Sequence, residues 1–438
     1  MTGFTMMLEA ILMTLPLVVA LIYHEKSGIY FLPVMASVFL IGFLLHRLKS
    51  KREDMYAADG FAIVSFSWAI LSLTGALPFY LSGQIPSFID SFFETVSGFT
   101  TTGASVLSDV EALDQCMLFW RSFTHFIGGM GVLVFVLAIA KFSGGQSLHI
   151  LRAESPGPTV EKIFPRMNST AKMLYIIYIC LTMIQVILLC IFGMPFFDAL
   201  LTSFGTAGTG GFAIKNAGIG AYSSACQTII TIFMFLFGMN FNFYFLLLVR
   251  KFKQAFLEEI RWYFIIFTSA AIIITINISQ YFENIWEALH HATFQTASIM
   301  SSTGFATADF NTWPGLSRYI LILLMFIGAC AGSTGGGFKV SRLIILLKSY
   351  LSEITGLVYS GSVQTIRLNG KKVDNDTIRR TGMFFFGFIA ILTLSSALLC
   401  LDDFGLTENF TASLSAISNI GPALGIFGPM GNCLLYTS

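Results

Sequence analysis

The chain has 438 residues, of which 55% are hydrophobic and only 11% charged, with a net charge of +1. Soluble domains carry about 25% charged residues, so this is an integral membrane protein, and the near-zero net charge gives no sign of a nucleic-acid partner. Apolar runs of roughly 20 residues point to helices rather than to a barrel, whose strands would alternate over about 10 residues.

In chain order the apolar runs predict spans at 6–24, 29–46, 58–82, 117–140, 172–194, 224–249, 262–280, 317–348 and 380–400. The opening stretch "MTGFTMMLEAILMTLPLVVALIYHEK" lacks the basic start and small-residue cleavage site of a signal peptide, so it reads as a retained first helix. Twenty of the 25 Lys and Arg fall in four clusters, Arg47 to Arg52, Lys141 to Lys172, Arg250 to Arg261 and Arg342 to Arg380. Segments 83–115 and 401–438 have none and carry acids instead, including Asp90, Glu94, Asp109, Glu111, Asp402, Asp403 and Glu408. By the positive-inside rule the clusters are cytoplasmic and the acidic segments external, so nine spans run from an inner N-terminus to an outer C-terminus. The cysteines (Cys116, Cys180, Cys190, Cys226, Cys330, Cys400, Cys433) are scattered without a CxxC pair and read as small apolar helix residues.

Four external segments share a pattern: "FIDSFFETVSGFTTTGAS", "FFDALLTSFGTAGTGGFA", "LHHATFQTASIMSSTGFAT" and "LTENFTASLSAISNIGPAL". They align on Gly103, Gly211, Gly304 and Gly421. Thirteen residues earlier stand Asp90, Asp198, His291 and Glu408; six earlier, Ser97, Gly205, Ser298 and Ser415; two earlier, the polar Thr101, Thr209, Ser302 and Asn419. The repeating unit, roughly a hundred residues, is helix, short helix with turn, helix. An acid stabilises the start of three of the four short helices, and glycine lets the following backbone turn its carbonyls toward a cation path. Irregular backbone at membrane depth is tolerated only in protein or along a wet cavity, and four such loops make a ring able to replace an ion's hydration shell. The ring residues are Thr101, Thr102, Gly103, Thr209, Gly210, Gly211, Ser302, Thr303, Gly304, Asn419, Ile420 and Gly421.

The run 317–348 is interrupted by "GACAGSTGGGFKV" at 328–340, with five glycines and a lysine where hydrocarbon is expected. Glycines unwind a helix cheaply, Ser333 and Thr334 offer polar groups to a wet cavity, and Lys339 can set a positive charge near the cation path. An intramembrane lysine is a functional candidate; the alternative is a lysine snorkelling to the cytoplasmic edge. The segment is no phosphate loop, because Phe338 separates the last glycine from Lys339 and no Ser or Thr follows. Arg121 is expected to open a helix at the outer surface, "IGGMG" at 127–131 to serve close helix packing, Asn240 and Asn242 to sit mid-span, lining the inner vestibule or else bonding between helices, and His290 and His291 to cap the third short helix. No HExxH motif or placed hydrolase triad is present, so no enzyme is expected.

With "SGFTTTGAS" (97–105), "WRSFTHFIGGMGVLVF" (120–135), "PRMNSTAKMLYIIY" (165–178), "TAGTGGF" (206–212), "SSTGFAT" (301–307) and "GACAGSTGGGFKVSRL" (328–343), the chain resembles the Trk/Ktr/HKT superfamily of potassium transporters, in particular the bacterial Trk-type uptake membrane subunit. The resemblance implies an all-α membrane fold with four pseudo-repeats around a central pore, divided here as an N-terminal hairpin 1–52 and repeats 53–145, 146–255, 256–350 and 351–438. It implies a homodimer in the bacterial cytoplasmic membrane, a cytosolic nucleotide-binding regulator of the TrkA type docking on the basic clusters 141–172 and 342–380, potassium as substrate and no bound cofactor. The filter glycines map to Gly103, Gly211, Gly304 and Gly421, and Gly103, serine in sodium-favouring plant relatives, favours potassium. The gate maps to Gly332, Ser333, Thr334, Gly335, Gly336, Gly337 and Lys339. The alternative is a secondary transporter coupling potassium to sodium or protons, since such carriers also use broken helices. The resemblance expects an inner helix after the fourth loop, whereas the sequence ends at "GPMGNCLLYTS"; a truncated reading frame is therefore expected, with the function belonging to the longer protein.

Overall fold

A computed structural model describes residues 2–47, 57–129, 131, 167–359 and 365–428. The second half of the predicted span 117–140, most of the basic cluster 141–172 and the terminal "PMGNCLLYTS" lie outside the described residues.

The described residues are almost all helical. An N-terminal hairpin is made of α1 (Thr2–Leu12), α2 (Thr14–Tyr23) and α3 (Phe31–Arg47). Helices α1 and α3 cross at Gly3 and Gly42, where a Cβ on Gly42 would stand 2.7 Å from the Gly3 carbonyl oxygen. Small residues of this kind let helix backbones touch where no hydrophobic effect drives them together.

Next come α4 (Ala57–Leu81), the short α5 (Phe88–Phe99) and α6 (Gln115–Gly129). They are followed by α7 (Met167–Ile191), the short α8 (Phe196–Gly208) and a broken helix, α9 (Ser224–Phe237) with α10 (Phe241–Leu248). A one-turn α11 (Phe252–Ala255) leads to α12 (Glu258–Ile278), the short α13 (Ile285–Met300), α14 (Gly315–Ile327) and α15 (Val340–Val358). A two-stranded hairpin, β1 (Arg367–Leu368) with β2 (Lys371–Lys372), precedes α16 (Asn375–Leu399) and the short α17 (Leu406–Ser418).

Among the described residues, six helical segments are long and apolar enough to span a membrane, and the α9–α10 pair counts as a seventh if taken as one span. One departure from the predicted spans has a physical cause. The run 224–249 is not one helix: it bends by 90° between α9 and α10, because Gly238 ends the first and the Asn240 side chain caps the second by accepting from the Asn242 amide at 2.9 Å. Asn240 thus caps the second helix at the break. The hairpin turn uses Asn369 and Gly370, both at positive φ (53° and 75°), the pairing that suits tight two-residue turns.

Candidate ion-conduction site

The four short helices end alike, and their ends explain the spacing of the repeat. Thr101, Thr209, Ser302 and Asn419 all stand in the left-handed region, at φ 59°, 53°, 58° and 63°. The next amide in each loop reaches back to the residue six before the aligned glycine: Thr102 to Ser97 O (2.9 Å), Gly210 to Gly205 O (2.9 Å), Thr303 to Ser298 O (2.8 Å) and Ile420 to Ser415 O (3.0 Å). With the accompanying bonds Thr101 to Gly98, Thr209 to Thr206, Ser302 to Ile299 and Asn419 to Ala416, this is the Schellman helix ending. It usually places glycine at the left-handed residue; here three of the four are Ser or Thr, which costs about 1–2 kcal/mol each and leaves a polar side chain at the turn.

Gly103, Gly211, Gly304 and Gly421 then take positive φ a second time (78°, 74°, 84° and 100°). Each lies against the carbonyl of the residue that precedes the glycine of another loop. A Cβ on Gly103 would strike Gly210 O, one on Gly211 Thr303 O, one on Gly304 Ile420 O, and one on Gly421 would stand 2.8 Å from Thr102 O. The order runs one, two, three, four and back to one, so the loops close into a ring. The seam between loops four and one, 317 residues apart, is joined by Asn419: its Nδ2 donates to Thr100 O (2.7 Å) and Thr101 O (3.1 Å), and its Oδ1 accepts from Thr102 Oγ1 (2.5 Å). A cavity of about 320 Å³ opens on the ring and is lined by all four glycines.

The acids at the helix starts fall where the dipole argument needs them, with one correction. Asp90, Asp198 and Glu408 occupy the first turns of α5, α8 and α17, but in α13 that place belongs to Glu287. Helix α13 starts earlier than the alignment implies, with Asn284 as its cap accepting from the Glu287 amide at 2.9 Å. His290 and His291 are therefore not caps. His290 Nε2 bonds Gln227 Oε1 at 2.7 Å and His291 Nδ1 bonds Thr307 Oγ1 at 3.0 Å.

The 328–340 segment is non-helical, as expected. Helix α14 stops at Gly328, and Gly328, Gly332, Gly337 and Lys339 all have positive φ. Its apex sits against loops three and four: the Gly336 amide donates to Ser302 Oγ, a Cβ on Gly335 would stand 2.6 Å from Ser301 O, and one on Gly336 2.9 Å from Asn419 Cβ. The break between α9 and α10 meets it from the side, with the Phe241 amide on Gly332 O (3.0 Å), the Cys330 amide on Gly238 O (3.0 Å) and Thr334 Oγ1 on Phe237 O (3.3 Å). Ser333 turns inward on Cys330 O (2.7 Å). Lys339 is only 1% exposed and does not snorkel; its ammonium donates to the carbonyls of Cys330 and Gly335 within its own segment.

Two acids that the sequence alone did not single out hold these parts. Glu259, in the first turn of α12, accepts through Oε1 from the Ala331 amide (2.6 Å) and the Ser341 amide (3.1 Å), one at each end of the broken segment. Glu94 meets Arg121 Nε at 2.5 Å, both side chains nearly inaccessible. Arg121 is thus a buried residue in the second turn of α6, which starts at Gln115, rather than the residue that opens the helix. At 128–129 the small residues do pack closely, since a Cβ on Gly128 or Gly129 would strike Phe99 O or Gly208 Cα.

The comparisons agree with this architecture. The family model TrkH, described as a cation transport protein, matches residues 29–432. The Trk system potassium uptake protein TrkH of Salmonella typhimurium is 34% identical over 427 residues, covering 94% of this chain and 87% of that protein. The Trk system potassium uptake protein TrkG of Escherichia coli is 30% identical over 450 residues, covering 99% of this chain and 93% of that one. The crystal structure of the potassium transporter TrkH from Vibrio parahaemolyticus superposes with a TM-score of 0.86 at 30% identity, covering 97% of this chain and 90% of that chain. Fold and similarity together define the class: a multi-pass, all-α cation transport protein of the bacterial cytoplasmic membrane, not an enzyme. Within that class, the chain belongs to the TrkH family.

Proposed function

We propose that this chain takes up potassium across the cytoplasmic membrane through a channel-like pore. The filter is the ring of carbonyls from Thr101, Thr102, Gly103, Thr209, Gly210, Gly211, Ser302, Thr303, Gly304, Asn419, Ile420 and Gly421, and the gate is the 328–340 segment. The observation that carries this reading is the closure of four like loops, each glycine facing a neighbour's carbonyl. Carbonyl dipoles in such a ring substitute for the water around a cation, and the C-terminal ends of α5, α8, α13 and α17 add a favourable partial negative charge. The gate reading rests on the segment's position against loops three and four and on its irregular backbone, which can rearrange without melting a helix.

By likeness to its relatives, whose names assign them to the Trk potassium uptake system, the chain works as a membrane subunit: a homodimer controlled by a cytosolic nucleotide-binding partner. The experiment is rubidium-tracer uptake with sodium competition in potassium-uptake-deficient bacteria carrying this chain. Rubidium uptake that follows the electrochemical gradient, without saturating and without a second ion, supports the pore. Uptake that requires a second ion would favour a coupled transporter instead.

A further inference from the structure

The ring is fourfold in backbone but not in the groups that brace it. Nine residues before the aligned glycine the four loops carry Glu94, Thr202, Gln295 and Ala412, so one quadrant alone holds a charge there. Glu94 lies on α5 and accepts from Arg121 Nε on α6 (2.5 Å), from Ser105 Oγ (3.0 Å) and from the Val106 amide (3.1 Å), the last two just beyond filter loop one. Arg121 in turn donates through Nη1 to Ala213 O (2.9 Å), just beyond filter loop two, and lays its guanidinium 3.6 Å over the ring of Phe212, the residue after Gly211. Phe212 is also stacked on His125 at 4.0 Å. One ion pair thus ties two filter loops, a short helix and a long helix at the rim of the outer cavity, whose lining includes Arg121. Among the described residues, the other ion pairs with known geometry are considerably more exposed.

We infer that the Glu94–Arg121 pair is a specificity-setting positioning element: it fixes the separation of filter loops one and two and so keeps the ring from contracting onto a smaller cation. The inference rests on the filter reading above. It goes beyond it by assigning selectivity to two side chains that contribute no carbonyl to the ring. A lysine at 121 keeps the charge but lacks the planar fork, so it cannot bond Glu94 and Ala213 O together while stacking on Phe212.

The test compares rubidium and sodium tracer flux through the full chain reconstituted in liposomes, for wild type, Arg121→Lys and Gly103→Ser. If the pair sets spacing, Arg121→Lys lowers the rubidium-to-sodium flux ratio by about tenfold, because small misplacements in a preorganised site carry penalties of roughly this order or larger. A folded Arg121→Lys with lower flux but an unchanged ratio, while Gly103→Ser shifts it, overturns the inference and leaves the filter standing. An unchanged ratio in both removes the filter reading and the inference with it. If Arg121→Lys does not fold, Glu94→Gln decides: it keeps the side chain's size but removes the charge that holds Arg121, and is expected to lower the ratio by about threefold. A folded Glu94→Gln with the wild-type ratio overturns the inference.

Discussion

The ring of loops and the 328–340 segment lie against each other, yet they are built by opposite means. The ring repeats one backbone four times, a helix ending followed by a glycine at positive φ, and tolerates Thr, Gly, Thr and Ile at the residue whose carbonyl meets the neighbouring loop. The segment occurs once and is held by backbone bonds to the α9–α10 break together with two outside side chains, Glu259 at its two ends and Ser302 at its apex, and Lys339 is folded back on its own carbonyls. A site made of backbone keeps its geometry through side-chain change but is displaced when one glycine is lost. A segment held by a few hydrogen bonds is closer to a two-state element, since each bond contributes only about 0.5–3 kcal/mol.

The largest effect is expected from Gly211→Ala. The residue sits at φ 74° with its Cβ direction filled by Thr303 O, so rubidium uptake should fall at least about a hundredfold, the left-handed penalty and the displaced carbonyl acting together. Gly356→Ala, where nothing lies within 4 Å, should match wild type in the same assay. An intermediate effect is expected from Glu259→Ala, which orphans the Ala331 and Ser341 amides. Loss of about 1.4 kcal/mol from the closed arrangement corresponds to about tenfold more basal flux, measured without the cytosolic partner. The smallest belongs to Ser302→Ala, which removes the acceptor for the Gly336 amide. At about 1 kcal/mol it should raise basal flux about fivefold with the rubidium-to-sodium ratio unchanged. A changed ratio there would mean that filter and gate are not separable.

What could be read from the sequence follows the same division. The positions six, two and zero residues from each glycine were legible because the helix ending that links them is local and recurs four times. The break at 328–340 was legible from its five glycines. The break at Gly238–Asn240 was not, because the run 224–249 stays apolar through it and one glycine near two asparagines is a weak signal. Glu287 was missed because alignment on the glycine fixes the end of a helix but not its length. The pairing of Glu94 with Arg121 and the hold of Glu259 on the broken segment join residues 27 and up to 82 positions apart; no local pattern encodes such contacts. The turn "NG" at 369–370 carries a local signal of its own, the residue pair that tight two-residue turns favour.

The most direct measurement is the rubidium-to-sodium flux ratio of Gly103→Ser against wild type in liposomes. Gly103 has φ 78° and its Cβ direction is filled by Gly210 O, so a serine must shift carbonyls of loops one and two. A filter at this ring requires the ratio to fall toward sodium. A folded variant that conducts with the wild-type ratio would take Gly103, and the ring it helps to close, out of the selectivity filter.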